Sequence, residues 1–105
     1  MDFKQILTTL PTVDHLSGLD IVDVNQQVIH HIPAIEGKLG SLRVYYALAL
    51  AFSGQLDRTS AEKGLALFAE HTLDAKANIG KHPNIDFLFN VIDKSLNYRL
   101  IAVEK

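Results

Sequence analysis

Glu70-His71-Thr72-Leu73-Asp74, then Asn78, then Lys81-His82-Pro83-Asn84, is the densest run of chemically able groups in this chain. On a helix His71 and Asp74 lie three residues apart and share a side, and Asn78 follows Asp74 at i+4. The loop after them delivers Lys81 and His82 to the first turn of another helix, with Asn84 as its expected N-cap. Three chemistries fit this run. Free backbone N–H groups from Asn84 to Phe87, with Lys81 and His82 beside them, suit a phosphate or carboxylate. His71, Asp74 and His82 offer the nitrogen and oxygen ligands that a metal takes. A His–Asp pair with an imidazole titrating near neutral pH suits acid–base catalysis. A structural reading outweighs all three. A histidine near a helix end, followed by a His-Pro-Asn turn, binds loop carbonyls and favours the helix C-terminal dipole. No HExxH or GxSxG pattern raises the catalytic reading, and neither a metal nor a cofactor is expected.

Lys38-Leu39-Gly40-Ser41-Leu42-Arg43 is the second candidate. A Gly-Ser turn at a helix start, flanked by Lys38 and Arg43, is a fair anion cradle. It lacks the full GxxxxGK[ST] pattern of a nucleotide P-loop. The structural alternative is Ser41 as a simple N-cap after a glycine turn. Arg43 is the sole charge in an apolar helix and either snorkels outward or meets a carboxylate. Tyr45 and Tyr46 read as core rings with satisfied hydroxyls. The candidate ligand-binding set is therefore Lys38, Ser41, Arg43, His71, Asp74, Lys81, His82 and Asn84.

The elements that must position these groups follow from periodicity. Leu42 to Phe52, LRVYYALALAF, is alanine-rich and poor in β-branched residues, so it reads as helix. Apolar on every side, it must be covered on most of them. Its eleven residues reach only ~16 Å, half a bilayer core, so it is a buried helix and not a membrane span. Phe3, Ile6, Leu7 and Leu10 mark a first helix, started by Asp2 and stopped by Pro11. Pro11 to Gly18 reads as a connector. Leu19 to Ile32 reads as a β-hairpin turning at Asn25-Gln26, with its register open: a two-residue loop sets Asp20 opposite His31, a three-residue loop does not. In either case His30 and His31 point to opposite faces.

Pro33 to Gly40 is a loop. Thr59-Ser60-Ala61-Glu62 has capping-box spacing and opens a third helix to about Ala77, with Leu65, Phe68, Ala69 and Thr72 inward. Gly64 inside it is expected to allow close packing on the central helix. A fourth helix carries Ile85, Leu88, Phe89, Ile92 and Leu96 on one side and Phe87 and Val91 on a second. Asn97 to Val103 closes the chain as a strand. The order α-β-β-α-α-α-β gives an α+β domain, in which a small, mostly antiparallel sheet packs against about four helices.

Bulk properties bound the function. One hundred and five residues make a single domain, 1–105, and 48% hydrophobic with 21% charged residues is a globular composition. Ten Lys+Arg are spread among twelve acids at net charge −2, which supplies no basic stripe for nucleic acid. Cysteine is absent, removing disulfides, thiolate zinc sites and a cysteine nucleophile. The start MDFKQILTTLP has an early acid and no long apolar run, so no signal peptide is read and the cytoplasm is the expected compartment.

GSLRVYYALAL (Gly40 to Leu50) together with GLALFAEHTLDAKANIGKHPNID (Gly64 to Asp86) resembles a small bacterial family of about this length, a domain of unknown function. The N-terminal hairpin fits the same pattern, so the resemblance covers nearly the whole chain. It implies a bacterial cytoplasmic protein and brings no activity, cofactor or catalytic residue. Two functions are carried forward. The first is a non-enzymatic interaction protein acting as a homodimer, since helices two and four carry more apolar surface than one core needs and a small sheet leaves edges. The second is a binder or small enzyme for an anionic ligand, a phosphate or carboxylate, at the Ser41 and Asn84 helix starts.

Overall fold

The LRVYYALALAF stretch forms most of the longest helix, α2 (Leu39–Ala51), in the computed structural model, which describes residues 1–105. Leu42, Val44, Tyr45 and Leu48 of α2 are fully buried. Its far side is less covered than an all-apolar helix implies, and Leu50 stays 57% exposed. No helix is long and apolar enough to cross a membrane.

The chain runs α1 (Phe3–Leu7), β1 (Leu16–Val22), β2 (Val28–Pro33), α2, β3 (Gln55–Leu56), α3 (Arg58–Leu67), α4 (Glu70–Ala77), α5 (Pro83–Asp93) and β4 (Tyr98–Glu104). The four strands form one antiparallel sheet in the order β2-β1-β4-β3. Leu19, Ile21, Ile32 and Leu100 alternate into the helical side and are buried, while His31, Arg99 and Ile101 alternate outward and are exposed. This is the expected α+β architecture, a sheet with helices on one face.

Four details differ from the sequence reading, each for a local reason. The connector before the hairpin is shorter, because β1 begins at Leu16, whose side chain enters the core. A fourth strand, β3, follows α2 after Ser53 and Gly54 take positive φ (53° and 81°), and pairs with Tyr98 and Arg99. Two residues are too few to show a period. Asp57, not Thr59, caps α3: it accepts from Ser60 N–H while Ser60 Oγ accepts from Asp57 N–H. The single helix expected to run to Ala77 is broken at Ala69, which sits at φ 52° and ψ −121°. Thr72 Oγ1 donates back to Leu65 O at 2.6 Å and holds the corner.

Register in the hairpin settles as Asp20 opposite His31, with a bulge between Ile21 and Val22. As alternation requires, the two histidines part. His31 turns outward to Asp20, Nδ1 to Oδ1 at 2.6 Å, and His30 turns inward to α5. The exposed sheet edges are blunt. Pro33 on β2 has no N–H to offer, the bulge twists that edge, and β3 is only two residues long.

The two apolar sides of α5 both find partners within the chain. Ile85, Leu88 and Val91 are buried, a stripe rotated toward Val91 from the one read in the sequence, with Phe89 and Ile92 half-buried. Phe87 reaches the sheet, stacking on His30 at 5.3 Å and tilting against Tyr98 at 5.7 Å.

Candidate functional site

The starts of α2 and α5 converge on one cavity of about 410 Å³, roofed by α1 and flanked by α4. Lys38, Ser41, His71, Lys81, His82 and Asn84 all line it. Neither helix start carries the side-chain cap expected of it. Lys38 occupies the N-cap of α2 and places Ser41 inside the first turn. His82 occupies the N-cap of α5, with Pro83 as the first helical residue. Proline suits that position because its missing N–H is one the helix would leave unpaired. In both helices the first backbone N–H groups lack a side-chain acceptor, whereas α1 and α3 begin with reciprocal capping boxes.

Asp74 stands behind the cavity and sets the geometry of one wall. Its Oδ2 accepts from His82 Nε2 at 2.6 Å and from Lys81 Nζ at 3.0 Å, while Oδ1 accepts from Asn78 Nδ2 at 3.0 Å. The His82 hydrogen bond, then that of Lys81, pulls the Asp74 carboxyl down to about 2. It is therefore a carboxylate at any ordinary pH and can only accept, so the network assigns the proton to His82 Nε2 and leaves Nδ1 as the second ring nitrogen. His71 lies 5.6 Å from His82, ring centre to ring centre, and meets the Phe3 ring edge-on at 4.9 Å. The loop brings Lys81 and His82 back to α4 as read from the sequence, where His82 bonds Asp74 and its ring lies beside His71; His71 and Asp74 are not bonded to each other.

Asn84 is anchored more than it is offered. Tyr45 Oη donates to its backbone carbonyl at 2.6 Å, and His30 Nε2 donates to its Oδ1 at 2.7 Å. Burial pushes the Tyr45 phenol far above its usual range, so the hydroxyl remains a donor throughout. Tyr45 is thus the satisfied core ring that its setting in α2 implied. His30 is a residue that sequence reasoning missed, since its partner lies 54 positions away and no spacing connects them. Phe3 was missed too, read only as one member of a helix stripe.

Arg43 does not join the cavity. Its guanidinium donates to Leu10 O at 2.9 Å and to Pro11 O at 3.3 Å, clamping the connector after α1. Neither a carboxylate partner nor simple snorkelling describes it; the acceptors are two carbonyls of an irregular segment, which only the fold supplies. Histidines and carboxylates do not gather into a group of three placed to hold a metal; His82 Nε2 bonds Asp74 instead.

No curated protein and no solved structure matches the chain. A family model does, from Phe3 on the roof of the cavity to Ala102 in the last strand: residues 3–102 match the family described as "Uncharacterized protein conserved in bacteria", so the chain belongs to that family, DUF2322.

Proposed function

We propose that the protein binds a small anion, a phosphate or carboxylate, in the cavity between the starts of α2 and α5. The observation that carries this reading is the gathering of Lys38, Lys81, His71 and His82 around one cavity by three separate segments of chain. Nothing in the packing of a hydrophobic core calls for two lysines and two imidazoles in one concave place, whereas an anion does. Both helices turn their positive dipole ends to the same space, and the uncapped first turn of α2 adds free N–H groups. In α5, contrary to the free run expected from Asn84 to Phe87, Pro83 has no N–H and those of Ile85 and Asp86 already donate to His82 O. Lys38 is tied to no carboxylate, and Lys81 is only half neutralised by an Asp74 that it shares with His82.

Calorimetry with inorganic phosphate and small carboxylates tests it, with Lys38→Ala and Lys81→Ala alongside. A bound anion at a hundred times its dissociation constant stabilises the fold by ~2.7 kcal/mol, visible as a rise in melting temperature. Each lysine removed deletes a charged hydrogen bond of ~1.5–3 kcal/mol, so affinity is expected to fall by roughly tenfold to a hundredfold. Variants that bind as the parent does, or a parent that binds no anion, would end this reading.

A second reading is a homodimer formed through the open face of the sheet rather than its blunt edges. That face is free of helices and exposes Val28 (55%) and Ile101 (43%) around the Asp20–His31 pair. Sedimentation equilibrium at micromolar concentration should then show a dimer that Ile101→Lys dissociates. A monomer throughout that range leaves the open face an ordinary solvated one.

A further inference from the structure

We infer that the anion taken by this cavity carries an apolar body, and that Phe3 is the residue that covers it. This rests on the anion reading above and narrows it to an amphipathic organic anion, such as a short fatty or aryl carboxylate. Phe3, Leu7, Phe68 and Ile85 line the cavity beside the basic groups and the helix starts, so an occupant meets apolar wall as well as charge. A volume of about 410 Å³ falls within the ~300–1,000 Å³ of small-molecule sites. It is also more than ten times the ~30 Å³ that one water occupies in the liquid. An inorganic anion of a few heavy atoms would leave most of that space as water against apolar walls. An apolar body displaces that water, and the gain grows with its length.

Phe3 is placed as a cover rather than as core. The helix that bears it, α1, has five residues and buries none of them. Yet its first residue is fixed from two sides. Phe3 N–H donates to Glu70 Oε1 at 2.7 Å, which ties α1 to the start of α4. The ring stacks on Phe68 at 5.6 Å, meets His71 edge-on, and lies flat enough on α2 that a methyl on Gly40 would come within 3.1 Å of it. Gly40 therefore lets an aromatic ring rest directly on the first turn of α2, next to Lys38 and Ser41. An apolar group bound beside the basic groups would meet the Phe3 and Phe68 rings.

Titration calorimetry of the full chain with straight-chain carboxylates from acetate to octanoate, and with inorganic phosphate, tests this. Affinity should rise about fourfold per methylene until the cavity is filled, then level off. Phe3→Ala should flatten that rise, so that octanoate loses more affinity than acetate does, and Phe3→Leu should keep most of it. The melting temperature of each variant confirms that it is folded. A flat series, with acetate and phosphate bound as well as octanoate, overturns the apolar body and leaves the anion site standing. A steep series that persists unchanged in Phe3→Ala overturns the role of Phe3. No binding by any member removes both this inference and the reading on which it rests.

Discussion

Leu48→Ala is expected to lower the unfolding free energy by about 2–5 kcal/mol, and Gly64→Ala, harmful on its own, is expected to recover part of that loss in the same molecule. Leu48 is completely buried in the C-terminal half of α2. Its Cδ1 would lie 2.9 Å from a methyl on Gly64, and Leu88 Cδ1 of α5 would lie 2.8 Å from it. Judged by helix propensity, alanine at position 64 inside α3 should stabilise by about 1 kcal/mol. Packing opposes this. Both leucines are fully buried and cannot swing away, so overpacking costs about 1–3 kcal/mol and the net effect should be a loss. Once Leu48 is truncated, one of the two obstacles is gone and the new methyl fills part of the cavity. Leu88 remains, so recovery should be partial. Urea unfolding of the two single variants and the double variant measures the coupling directly. Strict additivity would mean that Leu48 is not what makes glycine necessary at position 64.

The expectation that Gly64 serves close packing on the central helix came from its type and position alone, and Leu48 meets it there. Much else was legible for the same reason: a period of two or of 3.6 is printed in the residues themselves. Leu42 to Phe52 had to be a helix, though only one side of it proves buried, Leu19 to Ile32 a hairpin, and Ile85 onward an amphipathic helix, which ends at Asp93 rather than at Leu96. What periodicity does not encode was missed. Ala69 breaks the α3–α4 run with a positive φ that neither glycine nor proline announces. The stripe Leu65, Phe68, Ala69 and Thr72 looked continuous because a corner can keep apolar residues inward while the backbone turns.

Asp2 caps α1 as expected, but the other three caps lie two or three positions from where they were read; before α3, for example, Asp57, Thr59 and Ser60 are all competent and only the path of the chain chooses. The candidate site was half legible. Helical spacing alone put His71 and Asp74 together, and a short loop had to bring Lys81 and His82 near them. That Lys38 and Ser41 face the same cavity depends on α2 and α5 starting side by side, a tertiary fact held by Tyr45 and Asn84 across 39 residues. Arg43 shows the converse. A lone charge at a helix start looked like a ligand group, and the fold gave it two loop carbonyls instead.

Gly18→Ala should destabilise the protein by about 1–3 kcal/mol or more, with only part of the loss restored by removing His31. A methyl at position 18 would stand 2.6 Å from His31 Cε1 and 2.9 Å from its Nε2, so the imidazole lies directly over the glycine on the open face of the sheet. The same methyl would also stand 2.7 Å from the backbone oxygen of Ile32. These two obstacles differ in kind. The His31 ring is the far end of a half-exposed side chain. It can rotate away from Asp20 at the loss of one largely solvated pair, itself worth ~1 kcal/mol or less. The carbonyl belongs to the β1–β2 ladder, and Ile32 is buried on the other face, so it moves only if the strands part. Gly18→Ala in a His31→Ala background should therefore unfold at a denaturant concentration between those of the Gly18→Ala variant and the parent. Full recovery would show that the ring alone requires glycine here. No recovery would show that the backbone approach does, with the Asp20–His31 pair resting on a surface that never needed it.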